Sequence, residues 1–263
     1  MPTLKIGDAA VYYETAGSGD CLVLIPGFAS GSWSWKHQTA AFSKDFGVVT
    51  FDPRGVSRST AGAAVTIEAI SDDVAALLDH LGVERANILG ISFGGFVAQD
   101  VAFRYPDRVA KLVLACTSYG GKGHVAPSME VLTAFASTKG MNSAERIRQY
   151  LPMAFSPGFV ERSPEVVDEF CSLREQNTVP ERVYMDQLVA ATTFDFSGRS
   201  GGIGAETLVI SGDRDTIVPA QNSVNLAAAI PNSRLELVEG GGHMMFAETP
   251  ELFNSKVIDF LTT

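Results

Sequence analysis

The chain has 263 residues, 46% of them hydrophobic and 19% charged, with a formal net charge of −10 and a sequence pI near 4.9. That length accommodates one large domain, or a domain with an inserted subdomain, and the low charged fraction leaves apolar material for a sizeable core. The negative balance argues against nucleic acid or an anionic membrane as partner, and mildly disfavours anionic substrates unless the pocket is locally basic.

The predicted elements begin with strands over 3–6 and 10–15 around a turn at Gly7-Asp8, then a break at Ala16-Gly17-Ser18-Gly19-Asp20. CLVLI at 21–25 is an unbroken apolar run, the pattern of a strand buried on both faces; it ends at Pro26-Gly27-Phe28. A short helix over 35–43 follows, then a second buried strand over 47–51 that ends at Asp52-Pro53-Arg54-Gly55. Between 66 and 81, Ile67, Ile70, Val74, Leu77, Leu78 and Leu81 fall on one helical face, and Gly82 stops the helix. Residues 86–89 read as a buried strand. An apolar helix runs from Phe93 past Phe103 to Tyr105-Pro106-Asp107, and 109–116 is a further strand.

From 118 to 204 the alternation stops. Helices are expected near 128–138, 143–151, 164–176 and 180–193, broken by Pro127, Pro152, Pro157, Pro164 and Pro180. After Gly201-Gly202-Ile203-Gly204 a strand (207–211), a helix (219–230), a strand (235–238) and a closing helix (250–261) resume it. Strands alternating with helices mean an α/β fold with a mostly parallel sheet covered on both faces, and ligands bind at the carboxyl ends of such strands. Residues 1–117 and 205–263 then form the core, with 118–204 a helical cap inserted over those ends.

The stretch that organises the chain is ANILGISFGGFVAQ at 86–99. Gly90-Ile91-Ser92-Phe93-Gly94 fits Gly-x-Ser-x-Gly, the nucleophile elbow. A strand that reverses at once into a helix strains the central serine, and side chains two residues either side would clash, so both positions take Gly. The serine Oγ is pushed out above the sheet, where the helix start also aims backbone N–H groups.

A serine hydroxyl needs a positioned base, and the base an orienting acid. His243, in Glu239-Gly240-Gly241-Gly242-His243, is the base expected; the three glycines let a loop bend tightly to deliver an imidazole. His37 and His80 lie in scaffold helices, and His124 at the cap entrance, where it could at most touch substrate. Gly212-Asp213-Arg214-Asp215 offers two acids, of which Asp215 is preferred and Asp213 is the alternative. The order Ser92, Asp215, His243 is the one this elbow type requires. Oxyanion donors are expected from the backbone N–H of Phe93 and, in the loop after CLVLI, of Phe28.

Three cysteines, Cys21, Cys116 and Cys171, give no disulfide framework and suit a reducing cytoplasm; Cys21 and Cys116 sit in apolar runs as small buried hydrophobes. The start MPTLKIGD lacks the features of a signal peptide, and no apolar run reaches transmembrane length. No cofactor motif or metal-ligand spacing is present, so neither cofactor nor metal is expected. The cap carries Phe135, Met153, Phe155 and Tyr184, which together with Trp33 and Met244 are the candidate substrate contacts; Trp35 is assigned equally to core packing or the acyl site.

These residues resemble the α/β-hydrolase fold family, and more narrowly its small capped esterases, enol-lactonases and cofactor-free perhydrolases. The resemblance runs from about Asp20 to the end and rests on Pro26-Gly27-Phe28, Asp52-Pro53-Arg54-Gly55, GISFGG, Gly212-Asp213-Arg214-Asp215 and Gly242-His243. The chain departs from the family at Pro26, where His is usual, and at Ser57, where the Asp-x-Arg-Gly-x-Gly-x-Ser pattern has its second Gly. Asp52 and Arg54 read as scaffold. Within this fold Ser92 disfavours dehalogenase and epoxide-hydrolase chemistry, both of which use Asp at the elbow. The resemblance implies hydrolysis of a small, largely apolar ester or lactone through an acyl-enzyme. The alternatives are carbon–carbon bond hydrolysis or perhydrolysis with the same three residues, or a ligand receptor on the same scaffold. The oligomeric state stays open between monomer and homodimer.

Overall fold

A computed structural model describes residues 2–63, 65–136, 141 and 143–263, apart from the side chains of 135, 136, 143 and 146. Its strands are β1 (Thr3–Ile6), β2 (Ala9–Ala16), β3 (Cys21–Ile25), β4 (Gly47–Phe51), β5 (Ala86–Ile91), β6 (Val109–Ala115), β7 (Glu206–Gly212) and β8 (Ser233–Val238). They form one sheet in the order β1-β2-β4-β3-β5-β6-β7-β8, antiparallel at β1–β2 and β2–β4 and parallel from β4 onward. The helices are α1 (Lys36–Phe42), α2 (Ile67–His80), α3 (Phe93–Arg104), α4 (Met129–Ala136), α5 (Ser143–Tyr150), α6 (Phe159–Arg162), α7 (Pro164–Gln176), α8 (Glu181–Thr193), α9 (Gln221–Ala229), α10 (Met245–Glu248) and α11 (Pro250–Thr262).

The period of two in a strand separates the apolar runs into two cores. Leu22 and Leu24 of β3 and Leu89 of β5 pack with Trp35, Phe42, Phe253, Val257 and Phe260 on one face. Val23, Ile25 and Ile88 pack with Ile70, Val74, Val97 and Val101 on the other. This explains why the central strands lack polar alternation: both faces are covered. Leu81 continues the apolar stripe of α2 into this second core, and the Thr66 hydroxyl caps the helix by accepting from the Ala69 N–H at 3.1 Å.

Between β6 and β7 the chain runs through α4–α8 as a helical insertion. Its base is closed where Gly120 and Asp195 bridge; Gly121 N–H donates to Phe194 O at 3.1 Å and Phe196 N–H to Tyr119 O at 2.7 Å. Phe194, Phe196 and Ile203 then pack back into the second core.

The predicted elements are present with shifted ends. β5 extends to Ile91, β8 starts at Ser233, α8 starts after Pro180, and α9 starts at Gln221. The two four-residue helices α6 and α10 carry too few residues for a periodic signal, and Cys21, at the start of β3, is only half-buried. Positions 137 and 138 of the expected 128–138 helix lie outside the described residues. Among the described residues no helix is long and apolar enough to cross a membrane.

Asp52 and Arg54 serve the scaffold. Arg54 forks onto Asp73 through Nε (2.7 Å) and Nη2 (2.5 Å), and Asp52 accepts from Ser32 N–H and Arg58 Nε, both at 2.8 Å. Ser57 takes φ +47°, the region that favours the glycine usual there. Burial pushes the Asp73 carboxyl up, against the lowering pull of Arg54. Arg54→Met should therefore cost about 3–5 kcal/mol at neutral pH by leaving that buried carboxylate unpaired. Without Arg54 the folded-state pKa of Asp73 rises further. Urea titrations should then show the deficit largest at neutral pH and shrinking as acid protonates Asp73.

Candidate active site

Ser92 sits between β5 and α3 with φ +53° and ψ −119°. A side chain at Gly90 would strike the Gly94 carbonyl and Ala98, and one at Gly94 would strike the carbonyls of Ile25 and Pro26. The strained serine is fixed by its neighbours: its N–H donates to Ala115 O (2.9 Å), and its carbonyl accepts from Gly95 N–H (2.9 Å) and Thr117 Oγ1 (2.8 Å).

His243 Nδ1 lies 2.7 Å from Asp215 Oδ2. A carboxylate only accepts, so the bond places a proton on Nδ1 and, in the neutral ring, leaves Nε2 as an acceptor. The other oxygen, Asp215 Oδ1, accepts from Ile217 N–H (2.9 Å) and Val218 N–H (2.8 Å). The Asp215 side chain is fully buried, with every oxygen bonded. Asp213, the alternative acid, is spent elsewhere: its Oδ1 accepts from Gly240 N–H at 2.7 Å and pins the turn before the histidine. Glu248 holds that loop from the other side, accepting from Ser156 N–H (2.8 Å) and Gly242 N–H (3.3 Å).

Ser92 and His243 line one cavity of about 730 Å³ between the sheet and the insertion. Phe28 and Phe93 line it too, and the Gly27 backbone runs beside Ser92. As the first residue of α3, Phe93 has an N–H with no acceptor one turn back. Phe28 follows Gly27 in a turn closed by Ser30 N–H to Gly27 O at 3.1 Å.

Over residues 20–250 the sequence matches the alpha/beta hydrolase fold. The chain belongs to that family. A putative carbamate hydrolase RutD from Azorhizobium caulinodans is 27% identical over 261 residues, covering 99% of this chain and 98% of that one. A 2-hydroxy-6-oxononadienedioate/2-hydroxy-6-oxononatrienedioate hydrolase 1 from Pseudomonas putida is 30% identical, covering 97% and 93%. The crystal structure of the enol-lactonase from Burkholderia xenovorans LB400 aligns with a TM-score of 0.88 at 26% identity, covering all of both chains.

Of the expected substrate contacts, Trp33 and Met244 line the cavity of this α/β-hydrolase chain. Three others do not. The Met153 carbonyl accepts from Thr216 Oγ1 at 2.8 Å, and Phe155 is buried and stacked on Phe159. Tyr184 lies behind the wall, packing edge-on against the Phe28 ring at 4.8 Å between centroids. The Phe135 side chain lies outside the described residues. Trp35 resolves to core, fully buried against Phe246.

The remaining wall comes from residues the sequence left unassigned. Phe96, Phe194, Leu188 and Phe246 make it apolar, while Arg174, Tyr150 and Ser118 add polar atoms. Nothing in the sequence separates Arg174 from a solvated helix arginine. His124 also lines the cavity, its Nδ1 3.2 Å from Ser118 Oγ. Cys116 Sγ, an Asp215 oxygen and a His243 nitrogen lie within 4.8 Å of one another. Burial and the neighbouring Asp215 push the Cys116 thiol well up, and the Asp215–His243 bond already occupies the other two donors, so the cluster is poorly suited to a cation.

The elbow predicts a steric limit. Gly94→Ala, which drives a methyl into two backbone carbonyls, should destabilise the protein by about 3 kcal/mol or more in urea unfolding, whereas Ala126→Gly at the cavity mouth should change stability by less than about 1 kcal/mol.

Proposed function

We propose that the chain is a serine hydrolase cleaving a small, largely apolar carboxylic ester or lactone. The observation that carries this reading is the 2.7 Å bond from His243 to a fully bonded, buried Asp215, in a cavity that the strained Ser92 also faces. Ser92 Oγ attacks the carbonyl carbon while His243 Nε2 takes its proton, and Asp215 holds the imidazole tautomer and offsets its charge. The carbonyl oxygen becomes an oxyanion that accepts from the Phe28 and Phe93 N–H groups. The tetrahedral intermediate collapses, the leaving alkoxide takes the proton from His243, and an ester to Ser92 Oγ remains. Water, deprotonated by the same His243, then releases the acid and restores the serine.

An acyl centre suits this cavity because Phe96, Phe170, Phe194 and Phe246 give it apolar wall while Ser92 and His243 also line it. The relatives are named as a putative carbamate hydrolase, a 2-hydroxy-6-oxo dienedioate hydrolase and an enol-lactonase, hydrolases of carbonyl compounds, which supports an acyl centre here. Carbon–carbon bond hydrolysis remains the second reading, favoured by the Pseudomonas putida relative.

The expected outcome is turnover of p-nitrophenyl acetate or butyrate and a stoichiometric organophosphonate adduct at Ser92. Ser92→Ala should abolish both with the fold intact, and Asp215→Asn should lower kcat by about 10³–10⁴ by releasing the imidazole tautomer. A folded wild type with neither turnover nor adduct overturns the reading. Faster cleavage of a vinylogous β-diketone than of any ester selects the carbon–carbon alternative.

A further inference from the structure

The turn carrying Phe28 has an unusual middle. It closes from Gly27 O to Ser30 N–H, so Phe28 and Ala29 are its central residues, and Ala29 takes φ +48°. A turn with positive φ at its third position ordinarily places Gly or Asn there. With alanine, the alternative in which the central peptide is flipped and φ is negative is intrinsically favoured, by roughly 1–2 kcal/mol. From within the turn the Ser30 hydroxyl donates to Phe28 O at 3.3 Å, a bond that leaves the Ala29 N–H to be held from outside.

Both polar ends of that one peptide are held by the insertion. Arg174 Nη1, on α7, donates to Phe28 O at 3.0 Å and to Ser30 Oγ at 2.8 Å. The Ala29 N–H donates to Gln187 Oε1, on α8, at 2.7 Å. Gln187 is only 1% exposed, so its amide has no water to exchange for this partner. Arg174 is braced by Tyr150, whose hydroxyl accepts from Nη2 at 3.2 Å, and Tyr184, also on α8, packs edge-on against the Phe28 ring. A flipped peptide would turn its N–H toward the guanidinium, which has no acceptor, and its carbonyl toward Gln187 Oε1.

We propose that Arg174 and Gln187 are positioning residues: by clamping the Phe28–Ala29 peptide they anchor the far side of the Phe28 Cα, and so keep the preceding Gly27–Phe28 peptide, whose N–H is the proposed oxyanion donor, in place. The proposal rests on the acyl-transfer reading above. It makes the insertion part of the reaction machinery as well as the wall of the cavity. It also gives the loop, which starts with Pro26 where the family has His, its own means of fixation.

The test uses a neutral ester, p-nitrophenyl acetate, so that the charge of Arg174 has no substrate partner. Gln187→Met, nearly isosteric and without an acceptor, should lower kcat about tenfold or more with KM within about twofold; this is less than the 10²–10³ lost on removing an oxyanion donor outright. Phosphonate labelling of Ser92 should slow in parallel. Gln187→Glu keeps an acceptor and should restore kcat to within about threefold of wild type. Ala29→Gly, which removes the penalty on positive φ, should recover much of the loss when combined with Gln187→Met. Hydrogen exchange of the 27–31 peptide should speed up in Gln187→Met and in Arg174→Met. Unchanged kcat and exchange in a folded Gln187→Met overturn the clamp, and so does a loss that neither Gln187→Glu nor Ala29→Gly repairs, since that marks a packing role. If the wild type itself neither turns over esters nor labels, the proposed function fails, and the exchange comparison still decides whether the clamp exists.

Discussion

A main-chain contact governs this molecule: helix α3 starts so close to the end of β3 that residue 94 has no room for a side chain beside the carbonyls of Ile25 and Pro26. β3 and β5 are neighbours in register, Ile25 opposite Gly90, so both strands end at one level. The loop after one and the helix after the other must share a small volume. That volume holds Ser92, the Gly27 backbone and the amides of Phe28 and Phe93. Sheet spacing and two glycines bring Ser92, the Gly27 backbone and the Phe93 amide together with no side-chain interaction.

The histidine and its acid arrive from the other half of the sheet by the same means. Beyond the strand ends, Ser92 N–H bonds Ala115 O, Cys116 N–H bonds Ile210 O, and Asp213 N–H bonds Val238 O, at 2.9, 2.9 and 3.0 Å. This line of bonds fixes the starting points of the loops that carry Asp215 and His243. The loops then fold back over strand ends, and the glycines there allow it: a side chain at Gly212 would collide with the Gly241 backbone, and one at Gly242 with Ser156 and Glu248. Of the three glycines before His243, Gly241 and Gly242 are thus there for close approach, whereas a side chain at Gly240 would meet open space. Only Gly240 has positive φ.

This division explains what the sequence revealed. The elbow, the acid–histidine order and the alternation of strands and helices are local patterns set by backbone sterics, and each is legible from a few residues. Asp213 and Asp215 were separable only in part, because both follow the same strand and their roles depend on a turn that brings Gly240 to one and His243 to the other. The insertion was legible as helices and illegible as a wall. Which aromatic faces the cavity depends on how the helices of the insertion cross, and Phe155 and Tyr184 turn to Phe159 and Phe28 instead. Gln187 carried no signal at all, since a glutamine in a helix ordinarily faces water.

Backbone strain has the same geography. Among the described residues four that are not glycine have positive φ: Ala29, Ser57, Ser92 and Cys116. Three of them follow β3, β5 and β6, which lie side by side, and so cluster where those strands deliver the loops around the cavity. Each such residue costs on the order of 1–3 kcal/mol and persists only where its surroundings over-determine it. For Ser92 and Cys116 the surroundings are the extended sheet, through Ala115 and Ile210. Ala29 lies beyond the reach of any strand, and the bond its amide makes is to the insertion. The sheet can therefore hold Ser92 in its strained state unaided, whereas under the proposed clamp the neighbouring loop draws on a second layer of structure. The helical insertion then serves the backbone beneath it as well as walling the cavity.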